Sequence, residues 1–139
     1  MSGWLAPRPI PLIVAHRGSS AVAPENTLAA FSRARIDGAD AIELDVRLSR
    51  DGEVMVIHDR RLDRTTDGSG FVRQRTAAEL RRLSAGAWFG PAFAAERIPT
   101  LSEVFETLPN FSFNVEIKAD SPADERKLVH RCCALIRKH

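Results

Sequence analysis

Residues 41–48 read AIELDVRL, with Ile42, Leu44, Val46 and Leu48 on one side and Glu43, Asp45 and Arg47 on the other. Strict alternation is the mark of a β-strand. Two acids spaced by two on such a strand are ordinary surface groups if that face meets water, and for an isolated pair this is the default reading. The segments on either side decide whether the face is wet.

Upstream, residues 10–15 form an unbroken apolar run that predicts a strand buried on both faces, and it runs into His16-Arg17-Gly18. A helix is expected next: Pro24 and Asn26 suit its first turn, Leu28, Phe31 and Ala34 repeat on one face, and Gly38 can close it. Downstream, Asp51-Gly52 marks a turn and VMVIH at 54–58 is a second apolar strand, ending on His58. Residues 60–75 are rich in Arg, Thr and Gly without periodicity and read as an irregular insertion, in which Asp59, Asp63 and Asp67 are assigned to turns. Thr76 with Glu79 and Thr100 with Glu103 fit the capping box ahead of two short helices, with Trp88 and Phe89 in a loop between them. FSFNVEIK at 111–118 alternates again, and Ser121-Pro122 opens a last helix, apolar at Leu128, Cys132, Leu135 and Ile136.

Strands alternating with helices imply an α/β fold with a largely parallel sheet, whose chemistry gathers at the carboxyl ends of its strands. His16, Glu43, Asp45, His58, Glu116 and Lys118 are all placed there. A parallel sheet covered by helices or closed into a barrel has no solvated strand face, so the three carboxylates would be buried. Without a counter-charge that is prohibitive. A divalent cation resolves the conflict, and carboxylate oxygens with no thiolate nearby favour Mg²⁺ or Ca²⁺ over zinc, with Glu43, Asp45 and Glu116 as ligands. Two histidines beside such a site can divide general-acid and general-base work, while Arg17 and Lys118 can hold an anionic group, a parts list suited to phosphoryl chemistry. No nucleophile elbow and no glycine-rich nucleotide loop is present, which weakens acyl-transfer and kinase readings.

The wider composition agrees with a globular domain of 139 residues, 44% hydrophobic and 27% charged, with a net charge of +2 and no run of five or more basic residues, against nucleic-acid or anionic-membrane binding. No segment is long enough to span a bilayer, and the cytoplasm is the expected location. Cys132 and Cys133 are neighbours in a helix-like segment and poorly placed for a mutual disulfide, so they read as packing residues.

The stretches AHRGSSAVAPENTLAAF, AIELDVRLSRDGEVMVIHDRRLDRTTDGSG, IPTLSEVF and NVEIK resemble the successive motifs of the glycerophosphodiester phosphodiesterase family, across residues 12–118. The resemblance implies a (β/α)₈ TIM barrel that hydrolyses glycerophosphodiesters to glycerol 3-phosphate and an alcohol with a bound metal. Carried over position by position, it makes His16 and His58 the acid/base pair, Glu43, Asp45 and Glu116 the metal ligands, and Arg17 and Lys118 the phosphate contacts. It also places a small insertion after the third strand, residues 60 to about 95 here. Similar phospholipases C imply that a glycerol hydroxyl of the substrate attacks phosphorus first, with His16 as base and His58 as acid. Glu25 stands as a residue supporting the site from behind.

A barrel of this class takes about 250 residues, so residues 1–139 are expected to be roughly its first half, about four strands of one partial barrel domain. Open sheet edges then favour self-association. Two rivals accompany the leading reading: a related barrel phospholipase acting on lysophospholipid head groups, and a truncated, non-catalytic fragment.

Overall fold

The structure, a computed structural model, describes residues 11–139. The chain runs β1 (Val14–His16), α1 (Leu28–Ile36), β2 (Ala41–Leu48), β3 (Val54–Val56), α2 (Ala77–Leu80), α3 (Leu101–Thr107), β4 (Ser112–Ile117) and α4 (Pro122–Lys138), with short 3₁₀ turns at Val72–Gln74 and Pro91–Phe93. All four strands join one sheet centred on β2. β1 and β4 pair with it in parallel, Val14 opposite Ala41 and Asp45 opposite Glu116, while β3 is antiparallel, Val46 opposite Val56. Because β4 takes one edge of β2 from Ala41 to Val46, β1 and β3 must share the other, β1 at its start and β3 at its end. Antiparallel entry carries the chain back toward the middle of β2, so His58 arrives beside Asp45 rather than at the far end of the sheet, and the Ile57 N–H donates to the Asp45 carbonyl at 2.9 Å.

The alternation in residues 41–48 separates two buried faces. Ile42, Leu44 and Val46 pack with Phe31 and Ala34 of α1, Leu101 and Val104 of α3 and Leu128 of α4 into the main core. Phe31 is fully buried, and truncating such a side chain to Ala typically costs about 3–5 kcal/mol. A second core, including Met55, Ile57, Leu62, Leu80 and Ile98, folds the insertion against β3. Both capping boxes form, Thr76 with Glu79 and Thr100 with Glu103, as the sequence predicts.

Four expectations are corrected. The first strand, expected at 10–15 and buried on both faces, is Val14–His16, residue 10 lying outside the described residues, and Ile13 and Val14 are 63% and 40% exposed because none of the described strands lies beyond β1. The first helix starts later than Pro24 and Asn26 suggest: Thr27 is its N-cap and accepts from the Ala30 N–H, so those two residues stay in the preceding turn. On α4, Leu128 and Cys132 are buried but Ile136 is half exposed. Cys133 is exposed, so only Cys132 packs, and burial pushes its thiol pKa up to about 11.

Candidate active site

The other face of β2 carries the site. Asp45 is fully buried and Glu43 nearly so, whereas Glu116, on the edge strand β4, is half exposed. One carboxylate oxygen from each of the three lies within 4.8 Å of the others, as the parallel register of Asp45 and Glu116 requires. The predicted ligand set therefore converges. Glu43 Oε1 and Asp45 Oδ1 are buried and accept no hydrogen bond, Asp45 Oδ1 having only the Lys118 ammonium at 3.4 Å. Unsatisfied buried carboxylate oxygens are costly, and two of them in an all-oxygen acidic cluster fit a hard divalent cation such as Mg²⁺ or Ca²⁺. Burial, then the nearby Asp45 charge, raises the Glu43 pKa above its ordinary value.

Cationic side chains rim the cluster. Lys118 Nζ is 2.5 Å from Glu116 Oε1 and 3.4 Å from Asp45 Oδ1, and its hydrogen bond holds Glu116 below the ordinary carboxylate range. Arg17 follows β1 in the left-handed region at φ 58°, which turns its backbone N–H onto Glu43 Oε2 at 3.2 Å and its Nε toward Asp45 Oδ2, also at 3.2 Å. Gly18 must lack a side chain: at φ 84°, a Cβ there would sit 2.7 Å from the Ala30 backbone of α1.

The histidines come from the two strands that share one edge of β2. His16 ends β1 opposite Glu43, with Nε2 3.9 Å from Glu43 Oε2 and its side chain mostly exposed. His58 follows β3; its carbonyl accepts from Arg47 Nε at 2.7 Å, and its Nδ1 lies 2.6 Å from Asp59 Oδ1. Arg47, half buried on the same face of β2, also donates to Asp120 Oδ1 at 3.1 Å. Six of the predicted residues, His16, Arg17, Glu43, Asp45, Glu116 and Lys118, are thus joined by direct contacts on one face of β2, and His58 is tied to them through Asp59, Arg64, Glu25 and Arg17. His130 and His139, which match no motif, lie on α4 and at its end, away from it.

Four residues of the site were not foreseen in these roles. Asn26, taken as part of a helix start, donates from Nδ2 to Asp45 Oδ2 at 2.9 Å and accepts the Asp45 N–H. Asp59, assigned to a turn, holds the His58 ring, and Arg64 joins Asp59 to Glu25. Arg47 anchors the His58 backbone. A legible signal existed for Asp59 alone, since an acid directly following a candidate histidine is placed to reach it.

Residues 16–135 match the model of the glycerophosphoryl diester phosphodiesterase family. The chain belongs to this family. It is 54% identical over 123 residues to a glycerophosphodiester phosphodiesterase of Caldanaerobacter subterraneus, covering 85% of this chain and 51% of that protein. Among solved structures, an Oleispira antarctica phosphodiesterase in complex with the product sn-glycerol-3-phosphate superposes with a TM-score of 0.88 at 39% identity, covering 94% of this chain and 53% of that one. A glycerophosphodiester phosphodiesterase from Agrobacterium tumefaciens gives 0.80 at 43% identity, covering 92% and 55%. The open sheet is thus part of the TIM barrel of this family, and the chain spans about half the length of the relatives it matches. Among the described residues no helix is long and apolar enough to cross a membrane.

Proposed function

We propose that these 139 residues form the first half of a glycerophosphodiester phosphodiesterase barrel domain and carry its catalytic groups, hydrolysing small glycerophosphodiesters to glycerol 3-phosphate and an alcohol. The observation that supports this most is the meeting of Glu43, Asp45 and Glu116 within 4.8 Å, two of their buried oxygens accepting no hydrogen bond, with His16 Nε2 3.9 Å from Glu43. Similarity to a phosphodiesterase whose structure holds sn-glycerol-3-phosphate supports the substrate class.

Glu43, Asp45 and Glu116 would hold Mg²⁺ or Ca²⁺, which when bound offsets phosphate charge and makes phosphorus more electrophilic. Arg17 and Lys118, already on the rim of the carboxylate cluster, turn their charges onto the phosphate oxygens. His16 takes the proton of the attacking glycerol hydroxyl as its oxygen bonds to phosphorus, and His58 gives a proton to the departing alcohol oxygen. Water then opens the cyclic phosphate, His58 taking a water proton and His16 returning its own to the glycerol oxygen. One water is consumed, and both histidines end as they began.

The test is hydrolysis of glycerophosphocholine and glycerophosphoethanolamine, with lysophosphatidylcholine alongside, by the 139-residue chain and by a chain extended to full barrel length. In the extended chain His16→Ala or His58→Ala is expected to lower turnover by about 10² to 10⁴. Near-normal turnover in either variant would remove that histidine from the mechanism, and preference for lysophosphatidylcholine would replace the substrate class.

A further inference from the structure

Arg64 lies in a segment whose Arg-, Thr- and Gly-rich composition reads as an irregular insertion, yet it makes four charged hydrogen bonds. Nη1 and Nη2 each donate to a Glu25 oxygen at 2.8 Å, while Nε donates to Asp59 Oδ2 at 2.8 Å and Nη2 to Asp59 Oδ1 at 3.0 Å. Both carboxylates are gripped by a fork, a geometry that guanidinium supplies and ammonium cannot. Each then reaches a site residue. Asp59 Oδ1 is 2.6 Å from His58 Nδ1, and Glu25 Oε1 accepts from Arg17 Nη1 at 3.1 Å.

We propose that Arg64 is a positioning residue, clamping Asp59 on His58 and Glu25 on Arg17 so that the proton-transfer and phosphate-binding groups keep one mutual geometry. This rests on the roles given above to His58 and Arg17. An ionised carboxylate only accepts, so Asp59 requires the proton of neutral His58 to sit on Nδ1, leaving Nε2 as the nitrogen that exchanges protons with substrate. Asp59 can do so steadily only if its own plane is fixed, and the fork from Arg64 fixes it. The run His58, Asp59, Arg64, Glu25, Arg17, Asp45 has no link longer than 3.2 Å and ties the turns after β1, before α1 and after β3. Arg64 is close to half exposed, and exposed ion pairs add little to stability, so global stability is a poor explanation for four converging bonds.

The test is the tautomer of His58, read in long-range ¹H–¹⁵N spectra of the 139-residue chain at a pH where the ring is neutral, with the His58 signals assigned by their loss in His58→Gln. Wild type is expected to show well separated nitrogen signals with Nδ1 protonated. In Arg64→Gln and in Arg64→Lys the separation should shrink by at least half as the two tautomers interchange, with an unchanged far-ultraviolet circular dichroism spectrum. Lysine retains the charge and loses the fork, so retained signals in Arg64→Lys would overturn the clamp in favour of charge alone. Retained signals in both variants would overturn any positioning role, and failure of both to fold would make Arg64 a folding residue instead. Turnover plays no part in this readout, so an inactive chain would count against the proposed hydrolysis without touching the clamp.

Discussion

Asn26 and Asp45 hold each other twice: Nδ2 of Asn26 donates to Asp45 Oδ2 at 2.9 Å, and the Asp45 backbone N–H donates to Asn26 Oδ1 at 3.3 Å. With Oδ2 taken, Oδ1 is the oxygen left to face the carboxylate cluster. The contact demands an unusual backbone, because Asn26 sits at φ 58° and its own N–H is bonded to the Arg17 carbonyl. Asn26→Ala is expected to destabilise the chain by about 2–4 kcal/mol, combining unpaired buried polar groups with left-handed strain. Asn26→Gly removes the strain alone and should recover about 1 kcal/mol of that loss. Urea denaturation of the three proteins measures both; equal midpoints for the Ala and Gly variants would show that the turn is not strained.

Gly18 and Gly38 have nearly the same φ, 84° and 85°, and different surroundings. A Cβ on Gly38 meets nothing within 4 Å, whereas one on Gly18 lands 2.7 Å from Ala30. Gly38→Ala should cost about 1 kcal/mol through backbone conformation alone. Gly18→Ala adds displacement of α1 from the turn that carries Arg17 and should cost at least about 2 kcal/mol more. Matching melting temperatures for the two variants would mean that the helix does not press on that turn.

The exposed apolar residues around β1 carry a prediction about association. Ile13 and Val14 stand in solvent at one edge of the sheet, a template for pairing with another chain. Sedimentation of the 139-residue chain is expected to show species above the monomer, and Ile13→Lys should shift the distribution toward monomer. A monodisperse wild-type monomer would contradict this.

The central strand was legible because alternation survives any environment: Ile42, Leu44 and Val46 had to face a core, and Glu43 and Asp45 had to face something else. Which face is dry, however, depends on neighbours. Residues 10–15 carry the same apolar pattern whether or not another layer covers them, and here Val14 lies open. The three-carboxylate cluster was readable from electrostatics, since one face of a parallel sheet collects residues from separate strands. Asn26 and Arg64 were not, because Asn and Arg in aperiodic loops satisfy turn chemistry equally well, and only Asp59, directly after His58, carried a signal. Nothing in the spacing of Glu25 and Arg64, 39 residues apart, indicates a fork between them. The direction of β3 was equally silent, although it is what carries His58 to Asp45.

Asp59 and Glu25 link Arg64 to the acid limb of stability. Hydrogen bonds from Arg64 are the largest cause holding both carboxyls below their ordinary values of 3.8 and 4.5. A carboxyl whose folded pKa lies below its unfolded one adds stability that is fully present above the unfolded value and is lost as pH falls through the folded value. Arg64→Gln should therefore lower stability at neutral pH and flatten its decline below about pH 4.5. Denaturation midpoints measured between about pH 7 and pH 3 test this; parallel curves for the two proteins would show that Arg64 does not govern these groups.

Glu43 provides the sharpest test of the cation site, because its sign reverses with the metal. Burial first, and the Asp45 charge second, raise its pKa above 4.5. A raised carboxyl contributes stability below its unfolded pKa and loses it as pH climbs through the folded value, so near neutrality the ionised group burdens the metal-free fold. Glu43→Gln should leave the metal-free chain as stable as wild type or more so. Glu116 is a poorer probe, since it is half exposed and Lys118 favours its charged form, so replacing it also removes an ion pair. A cation that binds only the folded state adds RT ln(1 + [L]/Kd), about 2.7 kcal/mol at a hundredfold excess over Kd. Wild type should gain that much with saturating Mg²⁺ or Ca²⁺, and Glu43→Gln should forfeit most of it. Four melting curves decide the matter, each protein with chelator and with cation. If both proteins gain the same increment, Glu43 is not a ligand, and its buried unpaired oxygen requires another partner.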